Sequence, residues 1–331
     1  MARRWPAAAC ALVLAVLAAA CTGSSGDGEA GDDPLAPPST TTPPGATAPS
    51  TGYGPSTMLG RIADPAVNES SGLAASRRNP GLLWTHNDSG DEPLVYCLDL
   101  QGRSCGVWRV TGAEAFDWED MAAGPGPGSG GRAGEPHLYL GDIGDNIDQR
   151  TEIVVYRIPE PAAGGGGPVP TRASPAATAP AEALRLRYPD GTRNAEALLV
   201  HPTTGDVYVV TKEAQGAAVY KAAAPLDPAR PATMTSVTTL PLGTGGGLDQ
   251  VTGGDISPDG RRVALCTYGQ AYELVLPDGA ASFDNVWEQP PDPVALGPRL
   301  QGEAIAYRLD GRALLTTSES ASSALQQVER R

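Results

Sequence analysis

The sequence predicts an all-β fold, a single β-propeller with five blades; six blades are the alternative. Three observations predict it. An eight-residue pattern recurs five times, a turn and a second strand-like run follow each copy, and no long amphipathic helical pattern separates the copies. Repeats of about 40 to 50 residues are typical of propeller blades, each of which contains four strands.

The five copies of the pattern align without gaps. The fifth position is apolar in every copy, and the third or fourth position is acidic in four of the five. Successive third positions are 48, 77, 58 and 49 residues apart, which fits blades with loop insertions. The copies are ESSGLAAS (69–76), DWEDMAAG (117–124), NAEALLVH (194–201), TGGDISPD (252–259) and QGEAIAYR (301–308).

The end of the chain indicates how the ring closes. After Thr317 only about fourteen residues remain, enough for one more strand at 321–328 but not for two. We expect segment 57–63 to supply the missing outer strand of the last blade. Such sharing joins the termini and pairs sheet edges that would otherwise be open.

The N-terminus has the pattern of an exported protein. Residues 1–20 combine a basic start with a short apolar core, as in a secretory signal peptide. The following LAAAC resembles the lipobox of bacterial lipoproteins, which implies that Cys21 is acylated with palmitate-type chains. We therefore expect a lipid anchor in the bacterial cell membrane, or a secreted protein if the lipobox is not used.

Composition divides the rest of the chain. Residues 21–56 are rich in Thr, Pro and Gly and predict a disordered tether, and residues 57–331 form the propeller. A low-complexity stretch at about 162–181 predicts a disordered insert; a boundary between two domains at this point is the alternative. We favour the insert, because the repeats continue unchanged on both sides.

Charge and cysteines constrain the partners. Removing residues 1–20, which contain two arginines and no acid, changes the formal charge from −14 to −16, so nucleic acid is not an expected partner. Cys97 and Cys105 flank a predicted hairpin turn, and in an oxidising compartment we expect a disulfide between them. Cys266 is most simply a small buried side chain.

The motifs SGLA, WTHNDSG, DWEDMA, GDIGDN, SPDG and GEAIA together resemble those of extracytoplasmic bacterial β-propellers akin to the esterase-like phytase and TolB-type families. The resemblance covers most of residues 58–320 and implies the propeller fold. It does not imply one activity, because propellers carry many functions.

The acids of the repeat predict a site. In a propeller blade the first strand lines the central channel, and its start lies on the same face as the end of the second strand, so both sets of side chains should converge on one mouth. Starts of first strands carry Glu119, Asp120, Glu196, Asp255 and Glu303, whereas ends of second strands carry His86, Asn87, Asp88, Asp142, Asp145, Lys212 and Glu319.

A ring of carboxylates needs compensation. Two carboxylates about 6 Å apart repel by roughly 0.7 kcal/mol in water but by about 3 kcal/mol at the effective dielectric of a protein site. Hard oxygen ligands and the presence of only three histidines favour Ca²⁺ over Zn²⁺. The predicted metal ligands are Glu119, Asp120, Asp142, Asp145, Glu196, Asp255 and Glu303.

Three functional hypotheses follow. The first is an extracytoplasmic propeller that binds a cation and a small-molecule ligand, the ligand contacting Asn87, Asp88, Lys212 and Glu319. The second is a metal-assisted hydrolase of phosphoesters, esters or lactones, with Glu119 or Glu303 as general base and His86 or Lys212 contacting substrate charge. The third is a scaffold for envelope proteins, favoured if an apolar patch lies on the opposite face.

Overall fold

The protein is nearly all-β. The computed structural model describes residues 52–88, 90–128, 134–164, 166–245, 247–297, 299 and 301–331. The predicted signal peptide, Cys21 and most of the predicted tether lie outside these residues. Within the described ranges the helices are short 3₁₀ turns at Gly247–Asp249 and Phe283–Glu288, and none is long and apolar enough to cross a bilayer.

The strands form five sheets, each beginning at the channel and continuing outwards. The first strands of neighbouring sheets, which begin at residues 70, 118, 195, 251 and 302, contact one another in this order in a closed ring. The chain is therefore a five-bladed β-propeller, as predicted. Blade 1 contains β2 (Ser70–Ala75), β3 (Leu82–Asn87), β4 (Leu94–Asp99), β5 (Ser104–Arg109) and β9 (Ala176–Ala177). Blade 2 contains β6 (Trp118–Pro125), β7 (Pro136–Asp142), β8 (Ile153–Pro159), β10 (Glu182–Arg187) and β14 (Ala232–Thr233).

The other three sheets have four strands each. Blade 3 contains β11 (Ala195–Val200), β12 (Val207–Thr211), β13 (Ala217–Ala222) and β15 (Thr235–Leu240). Blade 4 contains β16 (Val251–Ile256), β17 (Arg262–Thr267), β18 (Ala271–Val275) and β19 (Asp292–Val294). Blade 5 contains β20 (Gly302–Tyr307), β21 (Ala313–Ser318), β22 (Ala324–Arg330) and β1 (Tyr53–Arg61).

The N-terminal strand closes the ring. Strand β1 pairs antiparallel with β22, from Tyr53 opposite Arg330 to Arg61 opposite Ala324. It begins before the expected segment 57–63, so the last residues of the predicted tether are part of the sheet. The Tyr53 hydroxyl donates to Glu273 Oε1 of blade 4 at 2.5 Å, which fixes the start of the strand across a blade boundary.

Apolar side chains fill the spaces between blades. Five buried clusters are found, one at each boundary between neighbouring blades. Trp84 and Trp118 lie in the cluster between blades 1 and 2, where they pack rather than face the channel. Because each blade buries both faces against its neighbours, the sheets stabilise one another and no blade has a core of its own.

The segment expected to be a disordered insert contains a short strand. Strand β9 pairs parallel with β5, with Ala176 opposite Trp108, so the segment adds an outer strand to blade 1. The Arg172 guanidinium contacts both carboxylate oxygens of Asp91, at 2.5 and 2.8 Å. Low sequence complexity predicted disorder, but these two interactions hold the segment on the sheet.

The expected disulfide is not formed in the structure. Cys97 and Cys105 both have free thiols. A register shift in the hairpin places Gly106, not Cys105, opposite Cys97. Burial raises the pKa of the Cys97 thiol, which keeps it protonated.

Candidate functional site

The starts of the first strands and the ends of the second strands meet at one end of the channel, which we call the acidic mouth. Glu119 interacts electrostatically with Asp88 and Glu196, and Glu303 interacts with Glu196 and Glu319. Side chains from different blades therefore converge. The members are Asp88 from blade 1, Asp117 and Glu119 from blade 2, Glu196 and Lys212 from blade 3, Tyr268 from blade 4, and Glu303 and Glu319 from blade 5.

A shared irregularity shapes the mouth. Each first strand has a register shift against its second strand at its beginning. In blade 2 the shift lies between Trp118 and Asp120. A bulge of this kind breaks the strict alternation of side chains and re-aims those beside it. In blade 2 the bulge therefore directs Glu119 and Asp120 to different tasks, whereas in blade 4 it lies between Val251 and Gly253, so Asp255 falls beyond it.

Three carboxylates form the tightest group. Oxygen atoms of Asp88, Asp117 and Glu119 all lie within 4.8 Å of one another. Glu119 is only 5% exposed, and within the described residues no hydrogen bond to its carboxylate is formed. Gly144 lies against Glu119 and Asp117 so closely that a Cβ at this position would clash with both carboxylates. A larger residue at this position would have to displace the two carboxylates.

Neighbouring residues fix Asp117 in place. Its backbone N–H donates to Asp142 Oδ1 at 3.2 Å, and its carbonyl accepts from the N–H of Gly144 at 3.2 Å. Asp142 in turn pairs with Arg150 at 2.7 Å. Asp142 therefore positions the group instead of joining it.

Lys212 occupies the other side of the mouth. Its Nζ pairs with Glu196 and donates to the Tyr268 hydroxyl at 2.5 Å, and it lies 4.9 Å from the Tyr268 ring centroid. Burial alone would lower the pKa of Lys212, but Glu196 and Tyr268 outweigh it and raise the pKa. The Lys212 amine is therefore protonated and cannot act as a nucleophile.

Burial and neighbouring carboxyl groups raise the pKa of the acids at the mouth. Burial, followed by Glu196, raises the pKa of Glu119 well above its usual range. Burial and Asp88 raise the pKa of Asp117 to about 6. Burial raises the pKa of Glu196 to about 7, and burial and Glu196 raise that of Glu303 to about 10. Without a cation, several of these groups carry a proton at neutral pH.

Two expected metal ligands serve the backbone instead. Asp120 accepts N–H groups from Met121 at 2.7 Å and from Leu198 and Gly254 at 3.0 Å, which joins blades 2, 3 and 4. Asp255 accepts from Ile256 and Tyr307 at 2.8 Å and joins blades 4 and 5.

Asp255 is also remote from the mouth. It lines a small cavity with Arg77, Pro258 and Leu309, which follow the ends of first strands. This is the opposite end of the channel, so Asp255 does not meet the other acids.

Three further residues that were expected in the site are engaged in hydrogen bonds or packing within the protein. Asn87 donates to Ala66 O and to Asp91 Oδ2, both at 2.7 Å. His86 is fully buried and packs edge-to-face on Trp118 at 5.4 Å; burial lowers its pKa, so the ring is neutral. Asp145 accepts N–H groups within its own loop.

Sequence reasoning missed two members of the mouth. Asp117 precedes Glu119 by two residues, the spacing that places side chains on one face of a strand. Tyr268 follows the end of a second strand, as do Asp88 and Lys212. Applying the same positional rules to these two residues would have found them.

The fold and the mouth define an all-β propeller with an acidic channel opening. No protein-family model matches the chain, and no curated protein matches it. The resemblance to the esterase-like phytase and TolB-type families therefore stays a prediction.

Solved structures share the fold at low sequence identity. The PQQ-bound aldose sugar dehydrogenase from Streptomyces coelicolor is 13% identical, covers 86% of this chain and 100% of its own, and has a TM-score of 0.48. A luciferin-regenerating enzyme is 10% identical, with 81% and 94% covered and a TM-score of 0.42. A Bacteroides uniformis protein assigned as a 6-phosphogluconolactonase is 12% identical, with 76% and 65% covered and a TM-score of 0.37. This similarity concerns the fold alone.

Proposed function

We propose that the protein binds a divalent cation, Ca²⁺, at the acidic mouth and a small-molecule ligand beside it. One observation carries the proposal: Asp88, Asp117 and Glu119 bring oxygen atoms within 4.8 Å of one another around a buried carboxylate that forms no hydrogen bond within the described residues. Buried charge without a partner is costly, and a cation removes that cost.

The donor set favours a hard cation. Ca²⁺ binds six to eight oxygen atoms at about 2.3–2.6 Å, so oxygens on opposite sides of the ion are about 5 Å apart. Oxygen atoms within 4.8 Å of one another are close enough for all three carboxylates to contact one such ion. Three carboxylates do not fill the coordination shell, which leaves positions for ligand oxygens or water. His86, the nearest histidine in sequence, packs against Trp118 and is not one of the group.

Thermal unfolding with Ca²⁺ and with a chelator tests the cation site. A cation that binds only the folded state at about 100 times its Kd stabilises by about 2.7 kcal/mol. We expect Glu119→Gln to abolish this gain. Asp278→Asn is the control, because Asp278 is fully exposed and pairs with Arg261. Equal midpoints for the wild type in Ca²⁺ and in chelator would contradict the proposal.

The ligand would lie on the side of Lys212 and Glu303. The Lys212 ammonium group, which already donates to Glu196 and Tyr268, has a third N–H, and the protonated Glu303, which is hydrogen-bonded with Glu319, lies near it. A ligand with oxygen acceptors fits between a bound cation and these donors.

The second candidate is a metal-assisted hydrolase of phosphoesters, esters or lactones. The raised pKa of Glu303, about 10, favours it, because this carboxyl group can give a proton to a leaving oxygen. Glu303 is thus better suited as general acid than as the expected base, which leaves Glu119 for the base. A panel of phosphate, acyl and lactone substrates tests the activity. Loss of turnover in Glu119→Gln and Glu303→Gln with unchanged circular dichroism would support it, and an inactive panel would favour binding alone.

The third candidate is a scaffold for envelope proteins. A groove of about 390 Å³ on the face opposite the mouth is lined by Leu82, Leu83, Leu100, Leu309 and Leu315. Cross-linking in the cell envelope, compared between the wild type and Leu309→Asp, tests this candidate. Identical cross-link patterns would argue against it.

We also propose that the chain is exported and anchored through Cys21. The support is the sequence of residues 1–21. Metabolic labelling with a palmitate analogue should mark the wild type and not Cys21→Ser, and the variant should move from the membrane fraction to the medium. Unlabelled wild type would favour ordinary signal cleavage and secretion.

A further inference from the structure

Apolar side chains flank the carboxylate group at the mouth. Phe116 and Ile147 are 70% and 71% exposed, among the most exposed large hydrophobic side chains of the described residues. Phe116 immediately precedes Asp117. Ile147 belongs to the loop that begins at Gly144, the residue in contact with Asp117 and Glu119.

The Phe116 ring and the backbone of the loop that carries Ile147 are held in position by their surroundings. The Arg150 guanidinium stacks over the Phe116 ring at 5.2 Å while it pairs with Asp142 at 2.7 Å. Asp145 accepts the N–H groups of Gln149 and Arg150 at 2.9 and 2.7 Å and closes the loop that carries Ile147. A fixed apolar surface costs little to order when a ligand covers it.

The adjoining carboxylates determine the charge of that ligand. Glu119 is buried, points into the group and has no hydrogen bond within the described residues, which marks a place for a cation. A bound divalent cation offsets most of the negative charge of the three carboxylates and offers open coordination positions, which an anionic oxygen of a ligand can occupy. The Phe116 ring lies near this group through Arg150, which stacks on the ring, donates to the Gly144 carbonyl at 2.8 Å and acts electrostatically on Asp117.

We propose, resting on the cation site above, that the mouth binds an amphipathic anion whose phosphate or carboxylate group contacts the cation and whose apolar part covers Phe116 and Ile147. The chemistry is shared by a free acyl or alkyl phosphate and by an anionic lipid headgroup with its chains. The apolar contact makes the ligand's chain length, and not only its charge, a determinant of affinity.

Calorimetric titration of the intact chain with two phosphate esters tests the proposal. Hexyl phosphate and methyl phosphate carry the same charged group and differ in apolar length. At saturating Ca²⁺ we expect hexyl phosphate to bind at least about tenfold more tightly, since each buried CH₂ contributes about 0.8 kcal/mol at full burial. Equal affinities, or tighter binding of hexyltrimethylammonium in chelator, would overturn the proposal.

The double variant Phe116→Ser/Ile147→Ser should bring the ratio of the two affinities close to one. At saturating Ca²⁺ this ratio does not depend on small changes in cation affinity. The control Met58→Ser/Val169→Ser removes apolar side chains that are 61% and 56% exposed and lie on β1 and in the insert. A ratio unchanged in the mouth variant, or lowered equally in the control, would overturn the proposal.

Two further measurements distinguish a lipid headgroup from a free amphiphile as the ligand, and distinguish the ligand proposal from the cation site. Ca²⁺-dependent sedimentation with phosphatidylglycerol vesicles, lost in the mouth variant, would identify a bilayer headgroup; hexyl phosphate preference without sedimentation would identify a free amphiphile. Absence of both overturns the amphiphile proposal. Calcium titration without any ester reports on the cation site alone. Absence of calcium binding in this titration would contradict the proposed cation site, independently of the ester measurements.

Discussion

Asp120 of blade 2 accepts the backbone N–H of Gly254 in blade 4 at 3.0 Å, across the first strand of the blade between them. The same carboxylate oxygen accepts the N–H of Leu198 in blade 3. One buried side chain therefore connects three blades at the channel.

Replacing Asp120 should destabilise the ring. Asp120→Ala leaves three buried N–H groups without acceptors, and we expect a loss of about 3 kcal/mol or more in the free energy of unfolding. Asp120→Asn keeps one acceptor oxygen and should lose less. Urea denaturation measures both, and an alanine variant within about 0.5 kcal/mol of the wild type would show that the connection is dispensable.

Cation binding should strengthen as pH rises. The carboxyl groups must lose their protons before they bind a cation, and burial with Asp88 raises the pKa of Asp117 to about 6. We expect Ca²⁺ affinity to increase by about tenfold between about pH 5 and 7, with proton release on binding. Calorimetry in buffers of different ionisation enthalpy measures the protons, and a pH-independent affinity would contradict this.

Glu303→Gln should stabilise the cation-free protein. In the unfolded chain this carboxyl titrates near its ordinary value of 4.5, whereas in the folded protein its pKa is about 10. The folded state thus binds more protons, and its stability falls as pH rises above about 4.5. Glutamine removes this dependence, and we expect a gain on the order of 1 kcal/mol at pH 8 in chelator. Parallel stability curves for wild type and variant would exclude the explanation.

Lys212→Met should be costly. Lys212 is the partner of Glu196, and removing one member of a buried pair leaves the other charge uncompensated, typically at about 3 kcal/mol. Arg103→Met is the comparison, because Arg103 pairs with Asp99 at the surface, where an ion pair contributes at most about 1 kcal/mol. Similar losses in chemical denaturation would mean that Lys212 contributes no more than a surface charge.

Arg172→Ala should release the insert. Without the contacts to Asp91 we expect subtilisin to cleave within 162–181 about tenfold faster, because local opening exposes the segment. Arg230→Ala is the control, since Arg230 is largely exposed and contacts only Asp227 nearby. Equal cleavage rates in all three proteins would indicate that Arg172 does not hold the segment.

Much of the fold was readable from the sequence. Apolar fifth positions and recurring turns predicted the first and second strands of all five blades, because they follow from local alternation and turn chemistry. The closing role of segment 57–63 followed from counting strands in the last blade. The convergence of Glu119, Glu196 and Glu303 followed from the position of strand starts in a propeller.

The sequence did not predict which acids face the channel mouth and which accept backbone N–H groups. Glu119 and Asp120 are adjacent, and the bulge at the start of β6 decides which one faces the cation group and which one accepts backbone N–H groups. A bulge is a property of strand pairing, which the sequence of one strand does not specify. Arg172 contacts an acid 81 residues earlier in the chain, and composition alone does not predict such a contact.

The closing strand also has a mechanical consequence. Strand β1 begins at Tyr53, directly after the stretch that would lead to the proposed anchor, and Arg330 of β22 lies opposite it. Tension applied ahead of Gly52 would first load the bond from the Arg331 N–H to the Gly52 carbonyl, and then the bond from the Tyr53 hydroxyl to Glu273 and the pairing of β1 with β22. Drag on the molecule would be resisted by the seam that completes the ring.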